Sequence, residues 1–168
     1  MENQQDPGIA ILKTIASTED ASYYIEQIDR FLQSMYQTDR TSILTVLEEM
    51  LPENISRDIK EYLISSKIDV THQEQVRYAL GTLQDTIRKA KVVSLTIAFP
   101  ASKRIVEKIA SQVKESFGSN LLVEISINQE LVGGAVIIYK GNYIDLSVKR
   151  KVDILFDAKK EEILKFLA

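Results

Sequence analysis

The chain offers few side chains that could carry out catalysis. Its 168 residues contain one histidine, His72, and no cysteine. Without cysteine there is no thiolate nucleophile and no cysteine-ligated zinc, and a single imidazole excludes a metal site built from several histidines. Three short segments nevertheless combine residue types that could do chemistry: a pair of glycines, an acid close to a serine, and a basic run.

The glycine pair Gly133-Gly134 could bind a phosphate, because glycine lets the backbone approach an anion closely. In dinucleotide-binding proteins, however, such glycines follow a strand and open a helix. Here they precede the apolar run Ala135–Tyr139, so they open a strand instead. The pattern favours a bend or bulge at the start of that strand, with phosphate binding as the alternative.

The acid and the serine are Asp145 and Ser147, at the start of the last predicted helix. As a nucleophile, Ser147 would need an activating base, yet no histidine lies nearby in the sequence and no nucleophile-elbow motif surrounds it. Both residues are typical of a helix N-terminus, where a serine oxygen accepts free amide protons and a carboxylate interacts favourably with the helix dipole. The pattern therefore favours helix capping.

The basic run Lys149–Lys151 could bind nucleic acid if it belonged to a basic face with interleaved aromatic residues. The acids Asp153 and Asp157 follow it closely, and no aromatic ladder accompanies it. The chain as a whole has a formal net charge of −3, which is unusual for a nucleic-acid-binding protein. A solvated helix face explains the run, and the sequence indicates no nucleic-acid partner, no metal, no cofactor and no enzymatic activity.

The first half of the chain has apolar residues at helical spacing. One such pattern runs from Ala21 to Met35 and follows start signals at Ser17, Thr18 and Asp20, and the clearest helix begins at Thr71. Further on, Thr71–Glu74 has the sequence of a capping box, in which Thr and Glu side chains satisfy two free amides. We predict a bundle of about five helices over residues 1–91.

After Lys91 the apolar period changes from helical to two, which is typical of half-buried strands. The alternation predicts strands near residues 93–97 and 121–127, joined by a helix that Ser102 can cap. If these strands are neighbours, they should be parallel with a right-handed crossover. The continuous apolar run Ala135–Tyr139 predicts a strand that is covered on both faces.

A tight turn at Gly141-Asn142 predicts an antiparallel hairpin with a short last strand. A final helix then opens at Ser147, with a break expected near Asp157. The fold class is therefore α+β: an all-α bundle over residues 1–91, followed by a small mixed α/β domain over residues 92–168. The order in the second domain is strand-helix-strand-strand-strand-helix, and its helices should pack on the sheet.

Several motifs follow one another in the second half: the strand Val92–Ala98 ending in Phe99-Pro100, an amphipathic helix after Ser102, a Leu-x-Gly-Gly segment, a glycine hairpin turn and an Asp-x-Ser helix start. In this order and spacing they resemble the C-terminal part of the delta subunit of rotary F-type ATP synthases, called OSCP in mitochondria. The stretch Val92–Arg150 carries the resemblance, and the helical half matches by architecture. The motif residues are Leu131, Gly133, Gly134, Gly141, Asp145 and Ser147.

The resemblance implies a peripheral-stalk (stator) role. In such proteins the helical domain grips the N-terminal helices of the alpha subunits on the catalytic head, and the C-terminal domain joins the C-terminal end of the membrane-anchored b subunit. The protein holds the head against rotor torque and catalyses nothing itself. The resemblance also implies a location peripheral to a membrane, on the cytoplasmic face in bacteria or on the inner face in an organelle.

Capture of a partner helix in a groove needs apolar faces. Candidate partner-binding residues lie at helical spacing in both halves, and they are Tyr24, Ile28, Phe31, Leu80, Leu83, Ile87, Leu155 and Phe156. Each could equally belong to the hydrophobic core, which we favour for most of them. Two other classes of function stay open: a small nucleic-acid-binding or regulatory α/β module, against which the acidic composition argues, and an enzyme with a phosphate site at Gly133-Gly134, against which the missing catalytic motifs argue.

Overall fold

The first half of the chain is helical in the computed structural model, which describes residues 7–35 and 42–167, with side chains up to residue 159. Its helices are α1 (Pro7–Thr14), α2 (Thr18–Ser34), α3 (Ile43–Met50), α4 (Glu53–Ser65) and α5 (Gln73–Arg88). The predicted bundle of about five helices is confirmed for these residues. The outer limits of the two predicted domains, residues 1 and 168, lie outside the described residues.

The helices pack around one apolar core. The largest side chains that are completely buried in it come from α2, α3, α4 and α5 and include Phe31, Ile28, Leu47, Ile59 and Leu80. Each residue of this size contributes about 1.5–3 kcal/mol by leaving water. The apolar residues at helical spacing in the sequence are therefore the residues that form the interior of the bundle.

Helix α2 begins at the start signal that the sequence predicts. The Ser17 side-chain oxygen accepts a hydrogen bond from the Asp20 amide at 3.1 Å, and the Asp20 carboxylate accepts one from the Ser17 amide at 3.2 Å. This reciprocal capping box satisfies two backbone donors that have no partner within the helix.

The capping box predicted at Thr71–Glu74 is wrong. Helix α5 begins at Gln73 with His72 as its N-cap residue, and no side chain caps it there. The Thr71 hydroxyl and amide both donate to the Asp69 carboxylate, at 2.6 and 2.9 Å, and His72 Nδ1 lies 2.9 Å from the same group. A charged carboxylate two residues away is the stronger acceptor, so it holds Thr71 in a local turn.

The second half contains a four-stranded sheet with strands β1 (Lys91–Ile97), β2 (Leu121–Ile127), β3 (Ala135–Tyr139) and β4 (Asn142–Asp145) in the order β2-β1-β3-β4. Helix α6 (Lys103–Phe117) joins β1 to β2, which are parallel, and the other two pairings are antiparallel. A 3₁₀ turn (Gln129–Leu131) precedes β3, and the last helix, α7, spans Val148–Leu167 without the expected break near Asp157. The α+β fold class and the predicted strand pairings are confirmed.

The two faces of the sheet differ. On one face, Val93 and Val123 pack with Ala110 and Val113 of α6. On the other face, polar residues hydrogen-bond across the strands, and Ile138 of β3 is 43% exposed. The prediction that β3 is covered on both faces is therefore met at Val136, which is 5% exposed, and wrong at Ile138. Helix α6 covers the opposite face, whereas the side chains of residues 148–159 in α7 are themselves exposed and leave Ile138 uncovered.

The hairpin turn lies one residue earlier than predicted. Tyr139 pairs with Asn142, so Lys140 and Gly141 form the two-residue turn, with φ of 50° and 79°. Positive φ at both positions is the geometry of a type I′ turn, which matches the twist of the strands. Asn142 accordingly belongs to β4.

The two halves touch each other away from the short α5–β1 connection. The Val123 amide of β2 donates to the Ala16 carbonyl at 3.2 Å, and Leu122 contributes its side chain to the helical core. The Lys114 ammonium of α6 donates to backbone carbonyls at the end of α1. The predicted domain boundary, after residue 91, thus falls at the start of β1 and is bridged by contacts elsewhere.

One buried polar atom of the helical core has no hydrogen-bond partner among the described residues: the Tyr24 hydroxyl. Burial and the nearby Asp58 carboxylate both raise the pKa of Tyr24, so its hydroxyl stays protonated. We predict that Tyr24→Phe leaves the free energy of unfolding unchanged or raises it by up to about 1 kcal/mol, because the variant removes an unsatisfied group.

The matched control for this prediction is Tyr62→Phe, because the buried Tyr62 hydroxyl donates to the Ala79 carbonyl at 3.1 Å. That substitution should lower the free energy of unfolding by about 1 kcal/mol. Urea unfolding of the three proteins makes the comparison. If both variants lowered the free energy of unfolding by the same amount, the prediction would be contradicted.

A second prediction concerns Lys114. Burial lowers its pKa from the ordinary value of 10.5 to about 8, and Asp20 on α2 partly offsets this shift. Other charged groups around it are Lys13 of α1 and, on its own helix, Glu107 and Glu115.

Because the unfolded chain keeps the Lys114 proton up to higher pH than the folded chain does, this group makes the free energy of unfolding rise with pH between about 8 and 10.5. An NMR titration of the lysine side chains should show Lys114 titrating near pH 8, before the exposed lysines. The rise in stability should be smaller in Lys114→Met. A Lys114 signal that titrates together with the exposed lysines would refute the prediction.

Candidate functional site

The glycine pair and the start of α7 lie against each other. Gly134 has φ of +81°, and a Cβ atom at this position would collide with the Leu146 carbonyl oxygen and lie 2.9 Å from Ser147 Cα. A Cβ atom on Gly133 would lie 3.0 Å from Val148 Cγ2. Gly134 is thus required for the close approach of two backbone segments, whereas a side chain at Gly133 would need a small shift of Val148. The motifs that are separated in sequence form one structural unit.

Backbone hydrogen bonds hold this unit together. The Leu146 amide donates to the Ala135 carbonyl at 2.8 Å, and the Val148 amide donates to the Gly133 carbonyl at 2.9 Å. The connection between β4 and α7 therefore lies alongside the start of β3, and α7 begins at that end of the β3–β4 hairpin.

Ser147 is 2% exposed and caps α7. Its side-chain oxygen accepts the Arg150 amide at 3.2 Å, and its own amide donates to Asp145 Oδ1 at 2.8 Å. Interaction with the Ser147 side chain, and then with its amide, lowers the pKa of Asp145, which stays ionised. The oxygen that a nucleophile would present is thus engaged in the helix start.

The other two motif residues occupy different places. Leu131 is half-buried at the end of the 3₁₀ turn, next to the glycine pair, and Val132 after it is 78% exposed with φ of 62°. Gly141 lies in the turn at the opposite end of the β3–β4 hairpin. The structure therefore brings five of the six motif residues to one end of the hairpin and leaves Gly141 at the other.

The surface beside this unit is polar and carries charges of both signs. A depression of about 490 Å³ lies there, and its lining includes Glu130, Asp145, Lys149, Arg150 and Asp153. Within the described ranges, no group of three or more histidine, cysteine, aspartate or glutamate side chains is arranged to hold a metal ion. The arrangement is one of backbone packing and helix capping.

Six of the eight candidate partner-binding residues lie in the helical core. They have exposed fractions of 5% or less, and they are Tyr24, Ile28, Phe31, Leu80, Leu83 and Ile87. A partner cannot reach these side chains in the folded bundle. The remaining two, Leu155 and Phe156 of α7, are 61% and 63% exposed.

Exposed apolar side chains are concentrated in the α/β half. Of nineteen large apolar residues exposed among those that the structure describes, fifteen lie beyond residue 91. In α7 they include Val148, Val152 and Ile154, in addition to Leu155 and Phe156. Helical spacing does not select Ile154, because this residue lies outside the three-and-four spacing that marks a single helix face.

In the helical half, the described surface has a cleft of about 450 Å³ between α1 and α4. Ala10, Ile11 and Tyr62 give it apolar walls, and Asp58 and Glu61 add carboxylates. The Thr14 hydroxyl donates to Asp58 Oδ2 at 3.2 Å, and partial burial raises the pKa of Asp58. No spacing rule pointed to this cleft, because it lies between two helices that are far apart in the sequence.

None of the helices in residues 7–35 and 42–167 combines the length and the apolar character needed to cross a membrane. Three features of the described residues bear on function: an apolar helix face on α7, a partly apolar cleft between α1 and α4, and the motif that fixes the start of α7.

Comparison with known proteins gives a consistent result. The family model described as "ATP synthase delta (OSCP) subunit" matches residues 12–158. A protein named ATP synthase subunit delta from Vesicomyosocius okutanii is 22% identical over 123 residues, which are 73% of this chain and 66% of that protein.

Proteins with the same name from two Francisella species are similarly distant. The one from F. philomiragia is 19% identical over 71% of this chain and 67% of its own length, and the one from F. tularensis subsp. novicida is 21% identical over 67% and 64%. The chain thus spans about two thirds of the length of the curated relatives it matches. Because the family model matches most of both halves, the chain belongs to the ATP synthase delta (OSCP) subunit family.

Proposed function

We propose that this chain is a peripheral-stalk (stator) subunit of a rotary F-type ATP synthase. It joins the catalytic head to the membrane-anchored b subunit, resists the torque of the rotor and catalyses no reaction itself. The observation that carries this proposal is the family match over residues 12–158, which includes the helical half as well as the motifs of the α/β half. The chain would be peripheral to the membrane, held there through the complex, on the cytoplasmic face or on the inner face of an organelle.

The b subunit would bind the α/β half. Exposed apolar surface can mark sites of interaction, and this half carries fifteen of the nineteen large apolar residues that are exposed among those described. Helix α7 exposes Val152, Leu155 and Phe156 by 47–63%, which suits contact with the apolar stripe of a partner helix. The C-terminal end of b, as an amphipathic helix, would cover this face and remove it from water.

The N-terminal helices of the alpha subunits would bind the helical half. Since Tyr24, Phe31 and Leu83 are in the core, the contact would be made elsewhere, and the α1–α4 cleft supplies an apolar floor at Ala10 and Tyr62. The cleft is lined by two carboxylates and one lysine, Lys13, and this balance favours a helix that carries positive charge next to its apolar stripe.

The first test is calorimetric titration of the full chain with two peptides from the same organism: the N-terminal helix of the alpha subunit and the C-terminal segment of the b subunit. We expect both to bind, at separate sites, so that saturation with one leaves the affinity for the other unchanged. If neither peptide gives a heat of binding at concentrations well above about 10 μM, the proposal is contradicted. Binding of b alone would support the role of the α/β half and contradict that of the helical half.

A matched pair of variants tests the α7 face. Leu155→Asp should weaken binding of the b peptide at least about tenfold, because a charge replaces an apolar contact that the complex buries. Ile64→Asp on α4 changes a side chain that is 70% exposed, against 61% for Leu155, and should leave b binding unchanged. Both variants should keep the melting temperature of the parent. Equal affinities of the two variants for the b peptide would remove α7 from the binding site.

A further inference from the structure

The α1–α4 cleft contains a carboxylate that its surroundings compensate poorly. Asp58 of α4 lines the cleft, and its side chain is only 13% exposed. A carboxylate withdrawn from water needs hydrogen bonds or a cation to offset the lost hydration. The described residues give Asp58 little of either.

The one hydrogen bond that Asp58 receives from the described residues is shared. The Thr14 hydroxyl lies 3.2 Å from Asp58 Oδ2 and 2.8 Å from the Ile11 carbonyl oxygen. A hydroxyl has a single proton to donate, and the carbonyl is the nearer acceptor. Asp58 therefore receives only part of this hydrogen bond.

The cation next to Asp58 is a weak partner. Among the described residues Asp58 forms an ion pair only with Arg57, whose Nε lies 3.8 Å from Asp58 Oδ1 and whose side chain is 71% exposed. Water screens a contact of this kind. Partial burial accordingly raises the pKa of Asp58, and the contacts with Thr14 and Arg57 offset this rise only in part.

A second group without a partner lies beside Asp58. Tyr24 of α2 is 5% exposed, and its hydroxyl has no hydrogen-bond partner among the described residues. Burial and then the charge of Asp58 raise the pKa of Tyr24, so the two groups are close, yet Tyr24 does not donate to Asp58. Buried polar groups that lack partners are rare in folded proteins and mark a place where a ligand can supply what is missing.

The walls of the cleft are apolar on both sides of this carboxylate. Ala10 and Ile11 of α1 and Tyr62 of α4 line its volume of about 450 Å³. An amphipathic helix in such a groove places its apolar stripe on these walls. A lysine or arginine beside the stripe can lay its methylene groups on apolar surface while its charged end reaches a carboxylate.

We propose that Asp58 is the specificity-determining residue of the α1–α4 cleft, where it pairs with one lysine or arginine side chain of the alpha-subunit N-terminal helix. This inference rests on the proposed function, because it names the contact by which the cleft selects that helix. The folded chain has already withdrawn Asp58 from water, so the pair forms at a smaller additional desolvation cost than a pair of fully hydrated groups.

Asp58→Asn tests the proposal, because it keeps the shape of the side chain and removes its charge. In calorimetric titration of the full chain with the alpha-subunit N-terminal peptide, we expect this variant to bind at least about tenfold more weakly than the parent. Its melting temperature at neutral pH should be unchanged or higher, since an ionised carboxylate with a raised pKa costs the folded state stability. A loss of affinity without a loss of stability distinguishes recognition from a structural role.

Two further variants serve as controls. Asp85→Asn makes the same change on α5, at a side chain that is 61% exposed, and should leave peptide binding unchanged. Glu61→Gln removes an exposed carboxylate of the same cleft and should weaken binding less than Asp58→Asn does. Equal losses for Glu61→Gln and Asp58→Asn would show that the cleft attracts the peptide through its net charge, and would overturn the proposal.

The affinity should also depend on pH. A bound cation favours the ionised form of Asp58, so the peptide should bind more weakly as the pH is lowered from about 7 to about 4, through the raised pKa of this group. The other charged or titratable groups around Asp58 are Arg57 and Glu61 on α4, Lys13 on α1 and Tyr24 on α2. The dependence on pH should be smaller in Asp58→Asn than in the parent, and equal dependence would overturn the proposal.

Peptides in which each lysine or arginine is replaced by glutamine in turn identify the partner of Asp58. At one position the replacement should weaken binding to the parent and cost nothing further in Asp58→Asn. If every replacement costs the same with both proteins, or if Asp58→Asn binds like the parent, this inference is overturned and the proposed function stands. If the parent itself does not bind the unmodified peptide, the proposed role of the helical half fails as well.

Discussion

The close approach of Gly134 to the backbone of Leu146 and Ser147 is the constraint on which the surface of the α/β half depends. No side chain fits between these segments, so the glycine is required by space as well as by its positive φ. With the gap closed, backbone hydrogen bonds tie the start of α7 to the start of β3, and Ser147 caps the helix in that position. The direction of α7, and with it the exposure of its apolar residues, follows from this contact.

The two halves use apolar residues differently. The helical half buries its amphipathic faces within itself, and among its described residues the exposed large apolar side chains are few and scattered, such as Ile64 and Tyr78. The α/β half covers one face of its sheet with α6 and exposes apolar side chains along α7. Leaving such residues in water forgoes about 25 cal/mol for each Å² that a partner could cover, which is energy available for association. The exposed face of α7 fits the proposed role, in which a partner helix covers it.

The sequence predicted the elements well and the surfaces less well, for a physical reason. Local signals are decided by local interactions: the Ser17–Asp20 capping box and the alternation in β1 and β2 predicted what the structure contains. At Thr71 the same kind of signal failed because Asp69 competes for the threonine. Helical periodicity shows which side of a helix is apolar. It does not show whether that side is buried in the protein's own core or against a partner, because both environments favour apolar residues equally. Phe31 and Phe156 have similar patterns, and only tertiary structure separates their fates, at 0% and 63% exposed.

A continuous series of backbone hydrogen bonds links the start of α7 to the helical half. It starts at the Val148 and Leu146 amides, which bond to Gly133 and Ala135, and crosses the ladders from β3 to β1 and from β1 to β2. From β2 it passes through the Ala16 carbonyl to the linker of α1 and α2. Hydrogen-bonded ladders resist extension far better than a flexible linker, whose ends drift apart at little cost. The start of α7 is therefore connected to the helical half through the sheet as well as through the covalent connection at Lys89-Ala90. In the proposed stator role, a load on α7 would be carried along both routes.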